Sequence, residues 1–443
     1  MKETIKTILA QWLERPLPEI VAREKSLDNY LGMKPRKIVV VTGFRRVGKT
    51  YLLYELIKRI INEGNRQSCA YINFDDERVP RKTSFLTQLL PAIKESRKEP
   101  LRSLFLDEPQ DMPNWSRWLR RIHDTEDVEI FVTGSSSRVS SHEIPTELRG
   151  RCLEVRVFPL TFGEFLRFRG IGINVENAGY SENEYMRTKH ALDEYLTFGG
   201  MPEVVLSHED KRFEILQQYY STVVRRDIIE RHHIRNEEAL KAMLRLLVNS
   251  TYYTISKMHN TLKSAGHGVG KTTLMHYMDC IESSYFMRGT PFFSYKAKDI
   301  MYYPRKVCIV DNGFISCLST KFSKNTGRLY ENAVAMELAR RDSLTGLDTS
   351  YWKDRTGKEV DFVLGNDTGV AQLIQVTSDI DDPDVRKREL NGLLSAGRTL
   401  RCKNLVLINP ELDATEDIKG IKVQFVPLWK WLLSVPGVNR ENA

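Results

Sequence analysis

Residues 43–50 read Gly-Phe-Arg-Arg-Val-Gly-Lys-Thr, a pattern that predicts a phosphate-binding loop. The loop joins an apolar run at 36–43 to an amphipathic, helix-like segment at 51–63. Glycines let backbone N–H groups curl around a polyphosphate, and the helix N-terminus adds a favourable dipole for an anion. We expect Lys49 to reach the terminal phosphates and the Thr50 hydroxyl to bind Mg²⁺. The expected nucleotide contacts are Gly43, Phe44, Arg45, Arg46, Val47, Gly48, Lys49, Thr50 and Tyr51.

A second chemical signal is the acidic pair Asp107–Glu108, which ends the apolar run at 101–106. An acid that ends a parallel strand lies at the carboxyl edge of its sheet, beside the phosphate loop. The pattern predicts that Asp107 holds Mg²⁺ through water and that Glu108 polarises an attacking water as general base. The nucleotide implied by the two motifs is ATP, with Mg²⁺ as its metal.

Three further positions have an open assignment. Thr133 ends the apolar run at 128–133, where it could meet the terminal phosphate or serve ordinary turn chemistry together with Ser135 and Ser136. Arg149 and Arg151 each carry a rigid guanidinium suited to phosphoryl charge. Either could be a finger that reaches a neighbouring subunit, or a solvated or salt-bridged arginine.

The elements that must position these residues fall into three blocks. Residues 1–170 alternate helices with near-continuous apolar runs, a pattern that predicts a parallel sheet covered on both faces. Residues 171–325 predict short helices followed by a hairpin with strands near 292–295 and 306–311, the element order of a winged helix-turn-helix. Residues 326–443 return to α/β. We therefore predict an α/β chain with a parallel-sheet P-loop domain, a helical and winged-helix middle, and a small C-terminal α/β domain.

Composition limits the classes of protein that this chain can represent. Of 443 residues, 41% are hydrophobic and 28% are charged, which is typical of a soluble globular protein. No apolar run approaches the ~18–20 residues of a membrane helix, and the N-terminus lacks the apolar region of a signal peptide. We expect a cytoplasmic protein without a membrane partner. The net charge of +8 permits nucleic-acid binding without establishing it.

The motifs GFRRVGKT, LFLDEPQD, VTGSSS, ELRGR and VFPLTFGEF, in this order, resemble those of prokaryotic ATPases of the AAA+ superfamily. The likeness extends to the subgroup whose C-terminal domain is related to restriction-endonuclease-like folds. This resemblance implies an ATP-driven machine or switch, with the winged-helix segment as a contact for double-stranded DNA. Homo-oligomerisation and an unidentified protein partner are further expectations.

The C-terminal block resembles the PD-(D/E)xK nucleases, in which acids bind Mg²⁺ and a lysine orients water. Glu331 and Asp361 match acidic positions of that pattern, but Gln375 and Thr377 stand where it has glutamate and lysine. Loss of a carboxylate and of the cation argues against cleavage, so we expect a degenerate site.

Two basic segments of the middle block invite a functional interpretation. Residues 265–272 read AGHGVGKT, but the polar, helix-like stretch before them argues against a second phosphate loop and for a turn between helices. Lys296, Lys298, Arg305 and Lys306 flank the predicted wing beside Tyr302 and Tyr303. These tyrosines could grip a DNA backbone or belong to the core.

The sequence thus favours a Mg²⁺-dependent ATPase that couples nucleotide turnover to conformational change. An ATP-gated DNA-binding switch with little turnover is the alternative. A nuclease effector is the third, less favoured hypothesis.

Overall fold

The computed structural model describes residues 1–64, 66–134, 148–173, 181–319, 325–366 and 368–434. The chain divides into two compact units. Unit 1 contains Met1–Phe158 and Ser283–Tyr285, and unit 2 contains Pro159–Glu282 and Phe286–Ala443. The division into three domains at residues 170 and 325 stays a prediction. Ser135 and Ser136 lie outside the described residues.

Unit 1 is built on a five-stranded parallel sheet. Its elements are α1 (Lys2–Glu14), β1 (Ile38–Thr42), α2 (Lys49–Glu63), β2 (Cys69–Asn73), α3 (Thr83–Glu95), β3 (Ser103–Asp107), α4 (Trp115–Thr125), β4 (Glu129–Gly134) and β5 (Cys152–Arg156). The strand order is β2-β3-β4-β1-β5, and every neighbouring pair is parallel. The sequence prediction of a parallel sheet from these five apolar runs is therefore confirmed.

The sheet is apolar because it is buried on both faces. Every residue of β1 and of β3 is buried. On one face, side chains such as Ile38, Leu104 and Ile130 pack with the apolar stripes of α1, α3 and α4. Burial of this kind stabilises by about 25 cal/mol per Å² of apolar surface. The strand order matters for function because it places the ends of β1, β3 and β4 side by side.

The first part of unit 2 is helical and contains one small sheet. Its elements are α5 (Phe162–Phe168), α6 (Glu182–Phe198), α7 (Pro202–Leu206), α8 (Glu209–Thr222) with a π-helical continuation (Val223–Glu230), α9 (Glu237–Val248), β6 (Tyr252–Tyr253), α10 (Ile255–Ser264), α11 (Lys271–Ser283), β7 (Met287–Thr290), α12 (Ala297–Tyr302), β8 (Arg305–Ile309) and α13 (Asn312–Leu318). The three strands form an antiparallel sheet in the order β6-β8-β7.

The hairpin of the small sheet differs from the prediction in one strand. Its first strand is Met287–Thr290 rather than the aromatic run at 292–295. Phe292 instead makes a single parallel bridge with Tyr351 of the C-terminal sheet. Aromatic content alone therefore gave the wrong strand, because the aromatic run packs on another sheet. The glycine-rich run at 266–270 is a turn between α10 and α11, and a helix rather than a strand precedes it.

The remainder of unit 2 is a six-stranded mixed sheet with helices. Its elements are α14 (Thr326–Thr345), β9 (Asp348–Lys353), β10 (Glu359–Asn366), β11 (Gly369–Val376), α15 (Pro383–Thr399), β12 (Leu405–Asn409), β13 (Ala414–Ile418), β14 (Ile421–Pro427) and α16 (Leu428–Leu433). The strand order is β13-β14-β12-β11-β10-β9. The pairs β11–β12 and β12–β14 are parallel, and the other pairs are antiparallel.

Among the described residues, no helix is long and apolar enough to cross a membrane.

A buried carboxylate joins separate helices within unit 2. Asp311 is 4% exposed, and its Oδ2 accepts a hydrogen bond from the backbone N–H of Gly200 at 2.7 Å. Its Oδ1 accepts from the N–H of Gly313 at 2.9 Å and so caps α13. A Cβ at Gly199 would lie 1.6 Å from this Oδ1, so only glycine fits beside the carboxylate. Burial raises the pKa of Asp311 to about 6, although both backbone bonds favour the charged form.

We expect this carboxyl group to make the stability of unit 2 depend on pH. Because its pKa is higher in the folded state than its ordinary value of 3.8, the native state binds the proton more strongly. Its contribution therefore favours folding at low pH and is lost as the pH rises from about 4 to about 6, by up to about 3 kcal/mol. Urea unfolding of the wild type and Asp311→Asn at several pH values measures this difference. The variant loses one acceptor, so its stability is lower, but its profile should lack this slope. Parallel pH profiles of the two proteins would contradict the assignment.

Candidate nucleotide-binding site

The phosphate loop lies between β1 and α2, at the carboxyl edge of the parallel sheet. Gly43 has φ +143°, and a Cβ there would lie 2.2 Å from the carbonyl oxygen of Val157. Gly48 has φ +97° and directly precedes α2. These positions need glycine because side chains rarely adopt positive φ and because the backbone passes so closely. The loop therefore has the strand–turn–helix context that its sequence predicted.

The expected loop contacts differ in their exposure. Phe44 and Val47 are buried and anchor the loop to the core, whereas Tyr51 is 50% exposed. Arg46 is exposed and has a left-handed φ of +69°. Arg23, which the sequence did not single out, donates hydrogen bonds to the carbonyl oxygens of Val47 and Phe158, each at 3.0 Å. It therefore ties the loop to the segment after β5.

Lys49 is held inside the loop. Its side chain is only 6% exposed, and its Nζ donates to the carbonyl oxygens of Gly43 at 3.1 Å and Phe44 at 3.2 Å. The same Nζ lies 3.8 Å from Oε1 of Glu108. A desolvated ammonium group surrounded by the backbone of the phosphate loop is placed to pair with an anion.

Asp107 is the centre of a hydrogen-bond network at the ends of β2, β3 and β4. Its Oδ2 accepts from the hydroxyls of Thr50 at 2.9 Å and Tyr71 at 2.8 Å, and its Oδ1 accepts from the hydroxyl of Thr133. The carboxylate is almost completely buried. Burial raises its pKa above the ordinary value, whereas the hydrogen bond from Thr133 favours the charged form. Three elements thus bring their hydroxyls to one carboxylate.

The two expected metal-binding residues fit Mg²⁺. Thr50 and Asp107 place a hydroxyl and a carboxylate oxygen within 2.9 Å of each other, beside the loop that would hold the phosphates. Oxygen donors of this kind, completed by water and phosphate, are what Mg²⁺ takes in nucleotide sites. Thr133 belongs to the same network, because its hydroxyl donates to Asp107 and accepts from the backbone N–H of Glu108.

Glu108 lies at a strained turn next to Lys49. Its φ of +57° is left-handed, which is uncommon for a residue with a side chain and clusters at functional sites. Its backbone N–H donates to Oγ1 of Thr133 at 3.1 Å, and its Oε2 accepts from Nε2 of Gln110 at 2.6 Å. These two hydrogen bonds hold the Glu108 carboxylate beside the phosphate loop.

Sequence reasoning missed Tyr71, Gln110 and Asp75. Tyr71 carries the only hydroxyl in the apolar strand β2, and that contrast was a usable signal. Asp75 follows the same strand, where burial and the negative charge of Glu108 raise its pKa. No sequence signal linked Asp75 to Glu108, because residues 75 and 108 are brought together only by strand pairing.

The structure does not bring Arg149 and Arg151 to the phosphate loop of the same chain. Arg151 directly precedes β5, and its carbonyl oxygen accepts from the N–H of Ile38 at the start of β1. It therefore lies at the amino edge of the sheet, about 17 Å of strand away from the loop. Its Nε donates to Oδ1 of Asp124 at 3.0 Å, and this bond lowers the pKa of Asp124 to about 2. Arg149 is exposed.

The nuclease-like positions of unit 2 form a different kind of cluster. Oδ1 of Asp361 and Oε1 of Glu331 both contact the ammonium group of Lys306, at 2.7 and 2.5 Å. Gln375 uses its amide as a bridge, since its Oε1 accepts from the N–H of Asp361 and its Nε2 donates to Glu389. Thr377 donates to the carbonyl oxygen of Asp379.

Lys306 corrects one sequence expectation. The sequence places it among the basic residues that flank the predicted wing and could contact DNA, but its side chain is 1% exposed. Side chains alternate between faces along a strand, so Arg305 of β8 faces solvent and Lys306 faces the carboxylates. Tyr302 is 75% exposed, whereas the ring of Tyr303 stacks on Phe292.

The sheet and the loop chemistry define an AAA-type P-loop domain, and residues 35–166 match the AAA domain family. Residues 189–325 and 326–431 match two families whose description is a domain of unknown function. The chain is 34% identical to the uncharacterized protein MJ1544 of Methanocaldococcus jannaschii over 94% of this chain and 93% of that protein. It belongs to the same family as MJ1544.

A second relative also matches over nearly the full length of both chains. An uncharacterized protein of Haemophilus influenzae is 26% identical over 93% of this chain and 98% of its own length. Among solved structures, the Walker-type ATPase paby2304 of Pyrococcus abyssi is 15% identical and overlaps 64% of this chain and 91% of its own, with a TM-score of 0.41.

Proposed function

We propose that this protein is a Mg²⁺-dependent ATPase in which the loop at 43–50 binds the phosphates of ATP. The observation that carries this proposal is the shared network of Thr50, Thr133 and Asp107 next to the buried ammonium group of Lys49. Bound Mg²⁺ would neutralise charge on the phosphates. The chain's own groups would bind the anion, orient the nucleotide and take up a proton from water.

Lys49 would change partners when ATP binds. It donates to two loop carbonyls in this structure, and a phosphate oxygen is a stronger acceptor than a carbonyl oxygen. Its movement would also release Glu108, which lies 3.8 Å away. The Glu108 carboxylate, still oriented by Gln110, could then accept a proton from the attacking water.

Substitution of the two residues should separate binding from hydrolysis. Lys49→Ala should weaken ATP binding at least about tenfold, because it removes a charge-assisted hydrogen bond. Glu108→Gln should keep binding and slow turnover by about 10²–10⁴-fold. Titration with a fluorescent ATP analogue and a phosphate-release assay measure the two effects. Lys58→Ala, an exposed lysine of α2, is the matched control and should behave as wild type. Normal turnover by Glu108→Gln would show that another group is the base.

We further propose that Arg149 or Arg151 acts on the ATP of a neighbouring copy. Arg151 pairs with Asp124 in this chain, is 33% exposed and lies far from its own loop, so a role in catalysis would require the ATP of another subunit. This arrangement requires a homo-oligomer. It assigns to an arginine the stabilisation of charge that develops on the phosphoryl oxygens.

Turnover per subunit should therefore rise with protein concentration. Arg151→Ala, or Arg149→Ala if that residue is the finger, should lower the plateau rate by about 10³-fold without weakening ATP binding. Arg120→Ala is the matched control, because Arg120 contacts the same Asp124 at 3.7 Å. A rate per subunit that is independent of concentration, with both finger variants fully active, would exclude a finger in trans.

A second candidate function is an ATP-gated DNA-binding switch. A winged-helix assignment is supported by the element order α9–β6–α10–α11–β7–α12–β8 and by the antiparallel sheet of β6, β7 and β8. Between β7 and β8, Tyr295 is 77% and Tyr302 is 75% exposed, with Lys296 and Lys298 beside them. Exposed lysines next to aromatic rings suit a phosphate backbone, and Lys271 at the start of α11 adds a further exposed cation.

DNA binding through this segment should depend on salt. Lys296→Ala/Lys298→Ala should weaken binding to a 30-base-pair duplex and reduce the slope of log affinity against log salt by about two, one for each lost phosphate contact. Fluorescence anisotropy at several salt concentrations measures this slope. Lys211→Ala/Lys241→Ala removes two exposed, ion-paired lysines as a control. An unchanged slope would contradict the assignment.

The nucleotide state would distinguish a switch from a machine. If DNA affinity differs between ATP-bound Glu108→Gln and the ADP-bound wild type while turnover stays negligible, the switch is favoured. If DNA accelerates turnover, the ATPase machine is favoured.

A further inference from the structure

The ammonium group of Lys306 is enclosed by carboxylates from two elements of the C-terminal sheet region. Its Nζ lies 2.5 Å from Oε1 of Glu331 on α14 and 2.7 Å from Oδ1 of Asp361 on β10. Oε1 of Glu359 is 3.8 Å away. The side chains of Lys306 and Asp361 are 1% and 10% exposed, whereas those of Glu331 and Glu359 are 22% and 24% exposed, so the cluster is open to water on the glutamate side.

The remaining side of the ammonium group faces aromatic rings. Nζ lies 5.2 Å from the ring centre of Phe362 and 5.7 Å from that of Tyr252. Both separations are within the range of a cation–π contact. Two carboxylates and two aromatic rings of this chain therefore surround the cation.

Further hydrogen bonds hold Asp361 and the helix that carries Glu331 in position. Oδ2 of Asp361 accepts from the N–H of Val376 at 2.9 Å, and the N–H of Asp361 is held by Gln375. Asn332, next to Glu331 on α14, holds both the N–H and the carbonyl oxygen of Ile309 on β8. The strand that carries Lys306 and the helix that carries Glu331 are thus clamped together at two points.

Charge balance within the cluster follows from burial. Burial and the negative charges of Asp361 and Glu389 raise the pKa of Glu359 to about 8. Burial would lower the pKa of Lys306, but Asp361 and Glu331 raise it above the ordinary value. Removal of this cation would leave the oxygens of Glu331 and Asp361 facing each other without a positive charge between them.

We propose that Lys306 is a built-in cation that occupies the position of a divalent metal between Glu331 and Asp361. Both oxygens point at one centre, as they would at Mg²⁺ or Mn²⁺, which commonly take one or two carboxylates and complete their shell with water. The lysine excludes the metal by occupying this centre. It also fastens β8 to α14 and β10, so that the small sheet and the C-terminal sheet are joined by an ion cluster. Among the described residues, no group of three or more His, Cys, Asp or Glu side chains is arranged to hold a metal ion.

Removal of the lysine should create a Mn²⁺ site. Full-length wild type, Lys306→Met and Lys306→Met/Asp361→Asn are titrated with Mn²⁺ without nucleotide, and free Mn²⁺ is followed by electron paramagnetic resonance. Lys306→Met should bind one more Mn²⁺ per chain than the wild type, and the added Asp361→Asn should abolish that extra site. Mn²⁺ should also raise the melting temperature of Lys306→Met more than that of the double variant. Any binding at the phosphate loop is common to all three proteins and cancels.

Lys353→Met is the matched control. Lys353 contacts the other oxygen of Glu359 at 3.1 Å, but its side chain is 46% exposed. Its removal takes the same charge from the same sheet and should add no Mn²⁺ site. An extra site in this variant equal to that in Lys306→Met would show a general charge effect and overturn the proposal.

The wild type gives an independent test if Lys306→Met fails to fold. Asp361→Asn should then bind as much Mn²⁺ as the wild type, and neither protein should cleave plasmid DNA with Mn²⁺. Wild-type Mn²⁺ binding or cleavage that Asp361→Asn removes would show that the cluster admits metal beside the lysine, and would overturn the proposal. A folded Lys306→Met without an additional Mn²⁺ site would equally overturn it.

Discussion

A carboxylate with almost no exposure, that of Asp107, must find hydrogen-bond donors inside the protein, because an unpaired buried charge costs several kcal/mol. The donors come from α2, β2 and β4, which reach the end of β3 only in the strand order that the structure shows. The same order sets the phosphate loop beside Asp107. Thus one electrostatic requirement connects the topology of the sheet to the geometry of the candidate nucleotide site.

Unit 2 satisfies its buried charges in two other ways. Asp311 accepts two hydrogen bonds from backbone N–H groups, whereas Asp361 and Glu331 share an ammonium group. Burial raises the pKa of Asp311 to about 6 although both backbone bonds favour the charged form, and burial also raises the pKa of Glu331 despite the adjacent ammonium group. Both solutions join helices or strands that are distant in sequence. Asp311 thus links segments within the helical part, and the Lys306 cluster links the small sheet to the C-terminal sheet.

Sequence reasoning succeeded where the structure depends on neighbours along the chain. The five strands of unit 1 and the position of the phosphate loop follow from continuous apolar runs and from glycines before a helix. It failed for β13, whose residues alternate between half-buried and exposed and include two acids, because an edge strand of this kind has no apolar run. It also misassigned the first strand of the small hairpin. The aromatic residues there serve a contact with Tyr351, which is almost sixty residues away.

By itself, the sequence determined the chemistry available at the loop and at the end of β3, because the residues involved are consecutive and their backbone conformation is a local property. Only the tertiary structure decided which charged groups meet. It placed Tyr71 on Asp107, set Arg151 at the opposite edge from its own loop, and turned Lys306 inward to two carboxylates. Electrostatic partners depend on distance in space and on exclusion of water. Neither quantity is contained in the order of the residues along the chain.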